Sequence, residues 1–374
     1  MNETRPTFKD KLAKDGPRKL LALDGGGIRG IISVEILAKI EAELRGAASN
    51  PDLVLSDYFD YVAGTSTGAI IATLISLGFS VNEIREFYVK SGAEMFQPAR
   101  LWERLHTKFD DDNLTRMLKE VTGPGTTLGS DKLRTLLMIV LRNATTDSAW
   151  PVSNNPKAKY NDLEVRGAGS NLHLPLWQLV RASTAAPTYF PPEVVEVGPR
   201  KFVFVDGGVT MYNNPAFQLF LMATAESYRL CWPAGEDKML LFSVGTGASA
   251  NANNNLTPRE MNLIYNASHI PSALMAAALH EQDFLCRTFG KCLVGDPLDR
   301  EVADVIGHGI PGVPKLFTYA RYNAELSREG LDLLSLPQID PAHVQQMDSV
   351  DHISEMQEVG RAVAQQKVRA AHFF

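Results

Sequence analysis

Residues 19–44 read KLLALDGGGIRGIISVEILAKIEAEL and predict a β-strand, a glycine-rich turn and an α-helix, in that order. The apolar run from Lys19 to Leu23 suits a short buried strand, and it ends at DGGG. Apolar side chains then recur at helical spacing, at Ile32, Ile36, Ile40 and Leu44. A strand that passes through a turn into a helix is the unit from which parallel α/β sheets are built.

The same pattern recurs along the chain. Residues 58–63 predict a buried strand, the turn GTSTG follows at 64–68, and AIIATLISLG at 69–78 predicts a helix. The stretch 147–172 is rich in Asn, Pro, Gly and Lys, which favours a surface loop or a loose hairpin. Further strands are predicted at 133–143, 201–205 and 238–244, with an edge strand at 315–321. Further helices are predicted at 81–122, 174–186, 215–228, 258–289 and 341–369.

Alternating strands and helices predict a three-layer α/β/α fold with a mainly parallel central sheet that is covered on both faces. We expect one core domain at 18–250, preceded by a flexible lead-in at 1–17. A mostly helical C-terminal part at 251–374 should pack on that core.

Composition narrows the class of protein. The 374 residues are 45% hydrophobic and 21% charged, which is ordinary for a folded globular protein. A formal net charge of -6 disfavours sequence-independent binding to nucleic acid or docking on anionic lipid by charge alone. Three cysteines without metal-type spacing predict reduced thiols in a cytosolic protein. The polar N-terminus and the lack of a run of about 18 apolar residues predict neither a secretory leader nor a membrane span.

The turn at 24–30, DGGGIRG, joins a predicted strand to a predicted helix. Consecutive glycines let backbone N–H groups converge, and the helix start adds its positive end, which suits an anion or a developing oxyanion. The turn also matches GxGxxG, a dinucleotide-binding pattern that needs an acidic residue about 20 positions on, at the end of a second strand. Residues 43–52 instead predict a helix end and a loop. A third interpretation of the turn at 24–30 is a tight turn with no binding or catalytic role.

The turn at 64–68, GTSTG, matches the GxSxG nucleophile elbow, in which Gly64 and Gly68 permit a sharp turn that exposes the Ser66 hydroxyl. Asp206 follows another predicted strand and precedes two glycines, so it should lie at the same edge of the sheet as Ser66. Asp24 is a rival base, since it also precedes glycines at a strand end. We prefer Asp206, because Asp24 is better placed to anchor its own loop.

A Ser-His-Asp triad is the alternative for the base. In α/β-hydrolases the chain order is serine, acid, histidine, so His308 or His352 could supply the last group after Asp206. A chain with such a triad would be a general carboxylesterase. Each histidine also has an ordinary interpretation, as a loop residue or as a residue on the surface of a helix.

These motifs together resemble the patatin-like phospholipases over roughly residues 18–247. DGGGIRG looks like the family's oxyanion-hole motif, GTSTG like its nucleophile elbow, and DGG at 206 like its dyad aspartate. RASTAAPTYFPP at 181–192 and DGGVTMYNNP at 206–215 look like two further family blocks.

The resemblance implies a patatin-like fold and a phospholipase A type of lipid acyl hydrolase. It would cleave acyl esters of membrane phospholipids through a Ser-Asp dyad without histidine, metal or cofactor. Ser66 would attack the ester and Asp206 would take its proton. The oxyanion would be held by Gly25, Gly26, Gly27 and Arg29.

The C-terminal part, including MDSVDHISEMQEVGRAVA at 347–364, is similar to a bacterial subgroup. Some of its members are antiphage effectors that a cyclic dinucleotide such as cyclic GMP-AMP activates. The resemblance implies such an activator here, and an enzyme in the cytoplasm that acts at the inner face of the membrane. No nucleic acid polymer is implied as a partner, and oligomerisation stays open. Four apolar residues could rim an acyl channel, touch a bilayer or pack as a cap on the core: Met95, Phe96, Leu101 and Trp102.

Overall fold

Nine β-strands form one sheet in the computed structural model, which describes residues 5–95, 111–161, 169–187, 189–248 and 263–374. Five neighbouring pairs are parallel and three are antiparallel, so the sheet is mainly parallel. The strands are β1 (Arg18–Leu23), β2 (Tyr61–Thr65), β3 (Leu136–Asn143), β4 (Ser148–Ser153), β5 (Glu193–Val197), β6 (Arg200–Asp206), β7 (Met239–Val244), β8 (Gly290–Val294) and β9 (Phe317–Tyr322).

Helices cover both faces of this sheet. Along β1, Leu21 and Leu23 belong to one apolar core, whereas Leu20 and Ala22 belong to another on the opposite face. The sheet is therefore the middle of a three-layer α/β/α fold, as the sequence predicts. The α-helices are α1 (Phe8–Ala13), α2 (Gly30–Ala48), α3 (Leu55–Tyr58), α4 (Thr67–Ser76), α5 (Val81–Met95), α6 (Asp111–Thr122), α7 (Leu176–Ser183), α8 (Ala216–Thr224), α9 (Leu263–Phe289), α10 (Arg328–Leu333), α11 (Pro341–Gln345) and α12 (Ile353–Lys367).

Strand β3 organises the part of the sheet that carries the site. Met138 pairs with both β2 and β4, so these two strands lie on opposite sides of β3. Arg142 pairs with both β4 and β6, so β6 also lies opposite β4. Strands β2 and β6 therefore share one side of β3 and lie end to end along it.

Because β2 is parallel to β3 and β6 is antiparallel to it, the two strands run toward each other. The pairing with β2 ends where Thr65 lies opposite Val140, and the pairing with β6 ends where Asp206 lies opposite Leu141. The carboxyl ends of β2 and β6 consequently meet at one point, and the residues that leave these ends face a common space.

Three details differ from the sequence-based expectations. Within the expected flexible lead-in at 1–17, Phe8–Ala13 is helical, with Thr7 as N-cap and the Lys11 side chain buried and donating to the Phe59 carbonyl. The C-terminal part, expected to be mostly helical with one strand, contributes two strands, β8 and β9, to the central sheet. The edge strand expected at 315–321 is also wrong in position: β9 lies between β7 and β8, since GKCLV at 290–294 forms the true edge.

Of the two expectations for 147–172, a surface loop or a loose hairpin, the described part at 148–153 agrees with the hairpin, because β4 returns antiparallel to β3. Strand β4 tolerates Pro151 because it is an edge strand on that side, where a missing N–H leaves no ladder bond unmade. Among the described residues, no helix is long and apolar enough to cross a membrane.

Helix α12 packs closely on α2 through a glycine. A Cβ atom at Gly360 would lie 2.7 Å from the Cβ of Glu35 and 2.8 Å from the Ile32 carbonyl oxygen. The absence of a side chain at this position therefore sets the distance between the two helices.

We expect Gly360→Ala to destabilise the fold by about 1–3 kcal/mol, because the backbone of α2 must move to admit the new methyl group. Gly46→Ala is the matched control in α2, where a Cβ would meet nothing within 4 Å. That variant should instead be more stable by about 0.5–1 kcal/mol, since alanine is the better helix former. Urea unfolding of both variants measures the two changes in the free energy of unfolding. A change in the same direction in both variants would contradict the close contact at Gly360.

Candidate active site

Ser66 lies on a strained turn between β2 and α4. Its backbone adopts φ 55° and ψ -124°, a conformation that a residue with a side chain seldom takes. The turn needs its two flanking glycines, since a Cβ at Gly64 would lie 2.0 Å from the Gly68 carbonyl oxygen, and a Cβ at Gly68 would lie 2.3 Å from that of Leu23. This is the geometry of a nucleophile elbow, in which the hydroxyl is raised above the end of the strand.

The Ser66 hydroxyl donates a hydrogen bond to Asp206, with 2.7 Å between Oγ and Oδ2. The other carboxylate oxygen of Asp206 accepts the backbone N–H of Gly208 at 2.6 Å. The Asp206 side chain is buried, and this desolvation raises its pKa from 3.8 to about 6, against the lowering by the Ser66 hydroxyl, the Gly208 amide and the Arg181 charge. Asp206 is thus a stronger base than an exposed aspartate.

Ser183 supports the elbow from α7. Its hydroxyl accepts the backbone N–H of Ser66 at 2.9 Å and donates to the Val140 carbonyl at 2.7 Å. The Ser66 amide is therefore committed to holding the turn on β3, and it does not act as a donor to an oxyanion. Ser183 belongs to the block RASTAAPTYFPP at 181–192, and its contact with the elbow has no signal in the residue pattern.

The glycine turn at 25–27 lies directly beside the elbow, since a Cβ at Gly25 would be 3.2 Å from the Cβ of Ser66. The Gly25 N–H donates to the Asn213 carbonyl at 3.1 Å, so this amide is already in use. Among the residues that the structure describes, the amides of Gly26 and Gly27 have no hydrogen-bond acceptor. The N–H groups of these two amides are therefore available to bind an anion.

The side chain of Arg29, a residue expected at the oxyanion site, is engaged with the backbone in this structure. Its guanidinium donates to two carbonyl oxygens, that of Gly26 at 3.4 Å and that of Gln345 at 3.2 Å. Burial lowers the pKa of Arg29 to about 10 against the attraction of the Asp24 charge. The guanidinium therefore holds the glycine turn against the C-terminal part of the chain. The sequence pattern alone could not show where the Arg29 side chain points.

The rival base, Asp24, is engaged elsewhere. Its two carboxylate oxygens receive the guanidinium of Arg321 at 2.9 and 2.5 Å, and both side chains are buried. Arg321 also donates to Ser243 on the neighbouring strand β7. The Asp24 carboxylate is committed to this bidentate ion pair, so Asp24 anchors the glycine turn, as we expect from the sequence.

The model of the family described as patatin-like phospholipase matches residues 21–220, which include the glycine turn, Ser66 and Asp206. The chain belongs to the patatin-like phospholipase family.

Patatin-17 of Solanum cardiophyllum is 30% identical over 258 residues, which cover 64% of this chain and 63% of that protein. Patatin-1-Kuras 2 of Solanum tuberosum is 28% identical over 258 residues, with coverage of 64% and 65%. The chain thus spans less than two thirds of these relatives. Human GIVD cytosolic phospholipase A2 aligns in structure with a TM-score of 0.46 and 12% identity, over 96% of this chain and 61% of that one.

The two histidines proposed for a triad, His308 and His352, contact residues other than Ser66 and Asp206. His308 is exposed, and its carbonyl accepts Lys315. His352 stacks on His343 and contacts Glu355. Of the histidines that the structure describes, none is a hydrogen-bond partner of Ser66 or Asp206.

Two further expectations concern the ligand surfaces of this family member. The second strand ends at Thr65, followed by Ser66, so the acidic residue that a dinucleotide site needs there is missing. Met95 is buried in the larger core, which agrees with packing of a cap. Phe96, Leu101 and Trp102 lie outside the described residues.

Proposed function

We propose that this chain is a lipid acyl hydrolase of the phospholipase A type, with Ser66 as nucleophile and Asp206 as general base. The observation that carries the proposal is the 2.7 Å hydrogen bond from the Ser66 hydroxyl to a buried carboxylate. Family membership supports a lipid ester as the substrate. The oxyanion would be bound by the free amides of Gly26 and Gly27, while the Gly25 amide holds the turn through the Asn213 carbonyl.

The reaction follows from these groups. Asp206 takes the hydroxyl proton as Ser66 Oγ attacks the carbonyl carbon of the ester, which gives a tetrahedral oxyanion. The oxyanion collapses, the C–O bond to the glycerol breaks, and Asp206 returns the proton to the departing alcohol. Water then attacks the acyl-enzyme with Asp206 again as base, which releases the fatty acid and restores Ser66. Each amide donor to the oxyanion is worth about 10²–10³ in rate.

Product analysis tests the substrate class. We expect the protein to release free fatty acid and lysophospholipid from phosphatidylethanolamine and phosphatidylglycerol vesicles, as measured by mass spectrometry. Cleavage of short p-nitrophenyl esters without any release from vesicles would instead identify a general carboxylesterase. A dependence of that cleavage on His308 would identify the triad.

The pKa of Asp206 sets a pH dependence. The base must be ionised to accept the proton, so kcat/KM should level off above pH 6 and fall about tenfold per pH unit below it. The pH profile of kcat/KM is measured with a soluble ester as substrate, so that the charge on vesicles does not affect it. An inflection near pH 4, the range of an exposed aspartate, would contradict a buried base.

We further propose that the enzyme acts in the cytoplasm at the inner face of the membrane, and that a cyclic dinucleotide activates it. The support is the similarity of residues 347–364 to the antiphage subgroup, together with the hazard of an unregulated lipase to its own cell. Fatty-acid release with and without cyclic GMP-AMP tests the activator. Equal rates across a panel of cyclic dinucleotides would remove this part of the proposal.

A further inference from the structure

A cluster of three metal-binding side chains lies in the C-terminal part, apart from the dyad. His343 comes from α11, His352 is the N-cap of α12, and Glu355 lies in the first turn of α12. The Nδ1 atom of His343 lies 3.1 Å from Glu355 Oε2, and that of His352 lies 3.0 Å from Glu355 Oε1. One ligand atom of each residue lies within 4.8 Å of the others. Two imidazoles and a carboxylate thus converge from two helices.

We propose that His343, His352 and Glu355 bind one divalent transition-metal ion, of which Zn²⁺ is the best match. Two histidines and one glutamate are a known set of zinc ligands, and a fourth position would be left to water. The three residues are partly buried, with side-chain exposures of 40%, 29% and 29%, so an ion can reach them from solvent.

Binding requires a small rearrangement of the two rings. They are stacked 3.7 Å apart and nearly parallel, at 16°, so they cannot both direct a nitrogen lone pair at one ion. Each ring must tilt about its Cβ–Cγ bond, a torsion with a broad energy minimum. In the metal-free arrangement each Nδ1 carries the hydrogen that Glu355 accepts. On binding, that hydrogen would move to Nε2 and the ion would take its place.

The pair of His352 and Glu355 alone would be ordinary, since an acidic residue in the first turn stabilises a helix start. His343 is the additional observation, because it lies on a separate helix and aims the same nitrogen at the same carboxylate. Two imidazoles from separate elements thus approach one carboxylate, which a simple helix cap does not require.

The position of the site gives it a role. His343 and His352 bracket a segment, 344–351, which contacts the glycine turn. Within it, the Met347 carbonyl accepts the Ile28 N–H at 2.9 Å, and the Gln345 carbonyl accepts Arg29. A metal ion would tie the two ends of this segment together and so hold it against the turn that carries Gly26 and Gly27. The ion would be structural, and its binding does not depend on the proposed enzymatic activity.

Metal titration of the tag-free full chain tests the site. We expect one equivalent of Zn²⁺ by calorimetry and, with Co²⁺, the visible absorption of a tetrahedral site. Zn²⁺ at about 100 times its Kd should raise Tm by roughly 4 °C, and a chelator should reverse this rise. His343→Ala and Glu355→Gln should each weaken binding by at least about 100-fold, since the loss of an outer-shell partner alone costs about 10- to 100-fold.

His308→Ala is the matched control, because it removes an exposed histidine from a different loop. It should leave binding unchanged. Circular dichroism of each variant establishes that it is folded, and Glu355→Gln provides a second test that keeps both histidines. Absence of Zn²⁺ binding by the wild type, or undiminished binding by folded His343→Ala and Glu355→Gln variants, would overturn the proposal.

Discussion

Ser66→Ala is expected to lower kcat for ester hydrolysis by at least about 10⁴-fold, because the two other hydroxyls of the elbow, those of Thr65 and Thr67, bond to Tyr212 and Tyr88 instead of Asp206. Among the described residues, the Ser66 side chain bonds to Asp206 alone, and the turn is held by the backbone contact with Ser183. The variant should therefore fold and still bind vesicles. Fatty-acid release, with thermal unfolding as the check on folding, measures the effect.

Ser148→Ala is a matched control for this substitution. Ser148 is a half-buried serine on the edge strand β4, where its hydroxyl contacts Thr146 and Trp150. Its loss should leave activity unchanged. If the Ser66→Ala protein retained more than about one per cent of wild-type activity, the nucleophile would have to be another group.

Asp206→Asn should have nearly as large an effect, a fall in kcat of about 10⁴-fold, by analogy with loss of the acidic member of a triad. Asparagine has the same shape, and its carbonyl oxygen can still accept the Gly208 N–H. Its amide would then donate to Ser66 Oγ, which reverses the hydrogen bond and leaves no acceptor for the proton. Comparison of this variant with His308→Ala distinguishes a dyad from a triad. If the base is Asp206 without a histidine, the His308→Ala variant should be fully active.

The same substitution has an expected effect on stability. The folded-state pKa of Asp206, about 6, exceeds the unfolded value of 3.8, so ionisation destabilises the folded protein. The penalty is absent below about pH 3.8, grows between pH 3.8 and 6, and is constant above, where it is on the order of 3 kcal/mol. Asp206→Asn should therefore be at least as stable as the wild type at pH 8.

Asp24→Asn gives the contrasting result that distinguishes the two aspartates. It would leave the buried guanidinium of Arg321 without its counter-ion, which costs about 3–5 kcal/mol. Urea unfolding at pH 8 should thus show a destabilised Asp24→Asn and a stable, inactive Asp206→Asn. A destabilised Asp206→Asn of normal activity would reverse the assignment of roles.

The sequence was sufficient to predict the three layers and the pair Ser66 and Asp206, because glycines at the ends of apolar strands are local signals. It could not show how the two residues meet. That depends on β2 and β6 approaching head to head along β3, a register between strands that are far apart in the chain. Sequence reasoning placed both residues at one edge of the sheet, and the structure gives the distance.

Long-range partners also escaped prediction. Arg321 lies 297 residues from the carboxylate that it neutralises, and Gln345 lies 316 residues from Arg29. Neither contact has a spacing signal, so the direction of the Arg29 side chain could not be inferred. Strand β8 was missed because GKCLV is short and directly continues a long helical pattern, and this error moved the expected edge of the sheet.

The most direct test of a serine nucleophile activated by Asp206 is covalent labelling with an alkyl fluorophosphonate, followed by peptide mass spectrometry. We expect a single phosphonyl adduct on Ser66 in the wild type, formed at least about 10³-fold more slowly in Asp206→Asn and at an unchanged rate in His308→Ala. An adduct on a different residue, or labelling of Ser66 at the same rate in Asp206→Asn, would contradict the dyad.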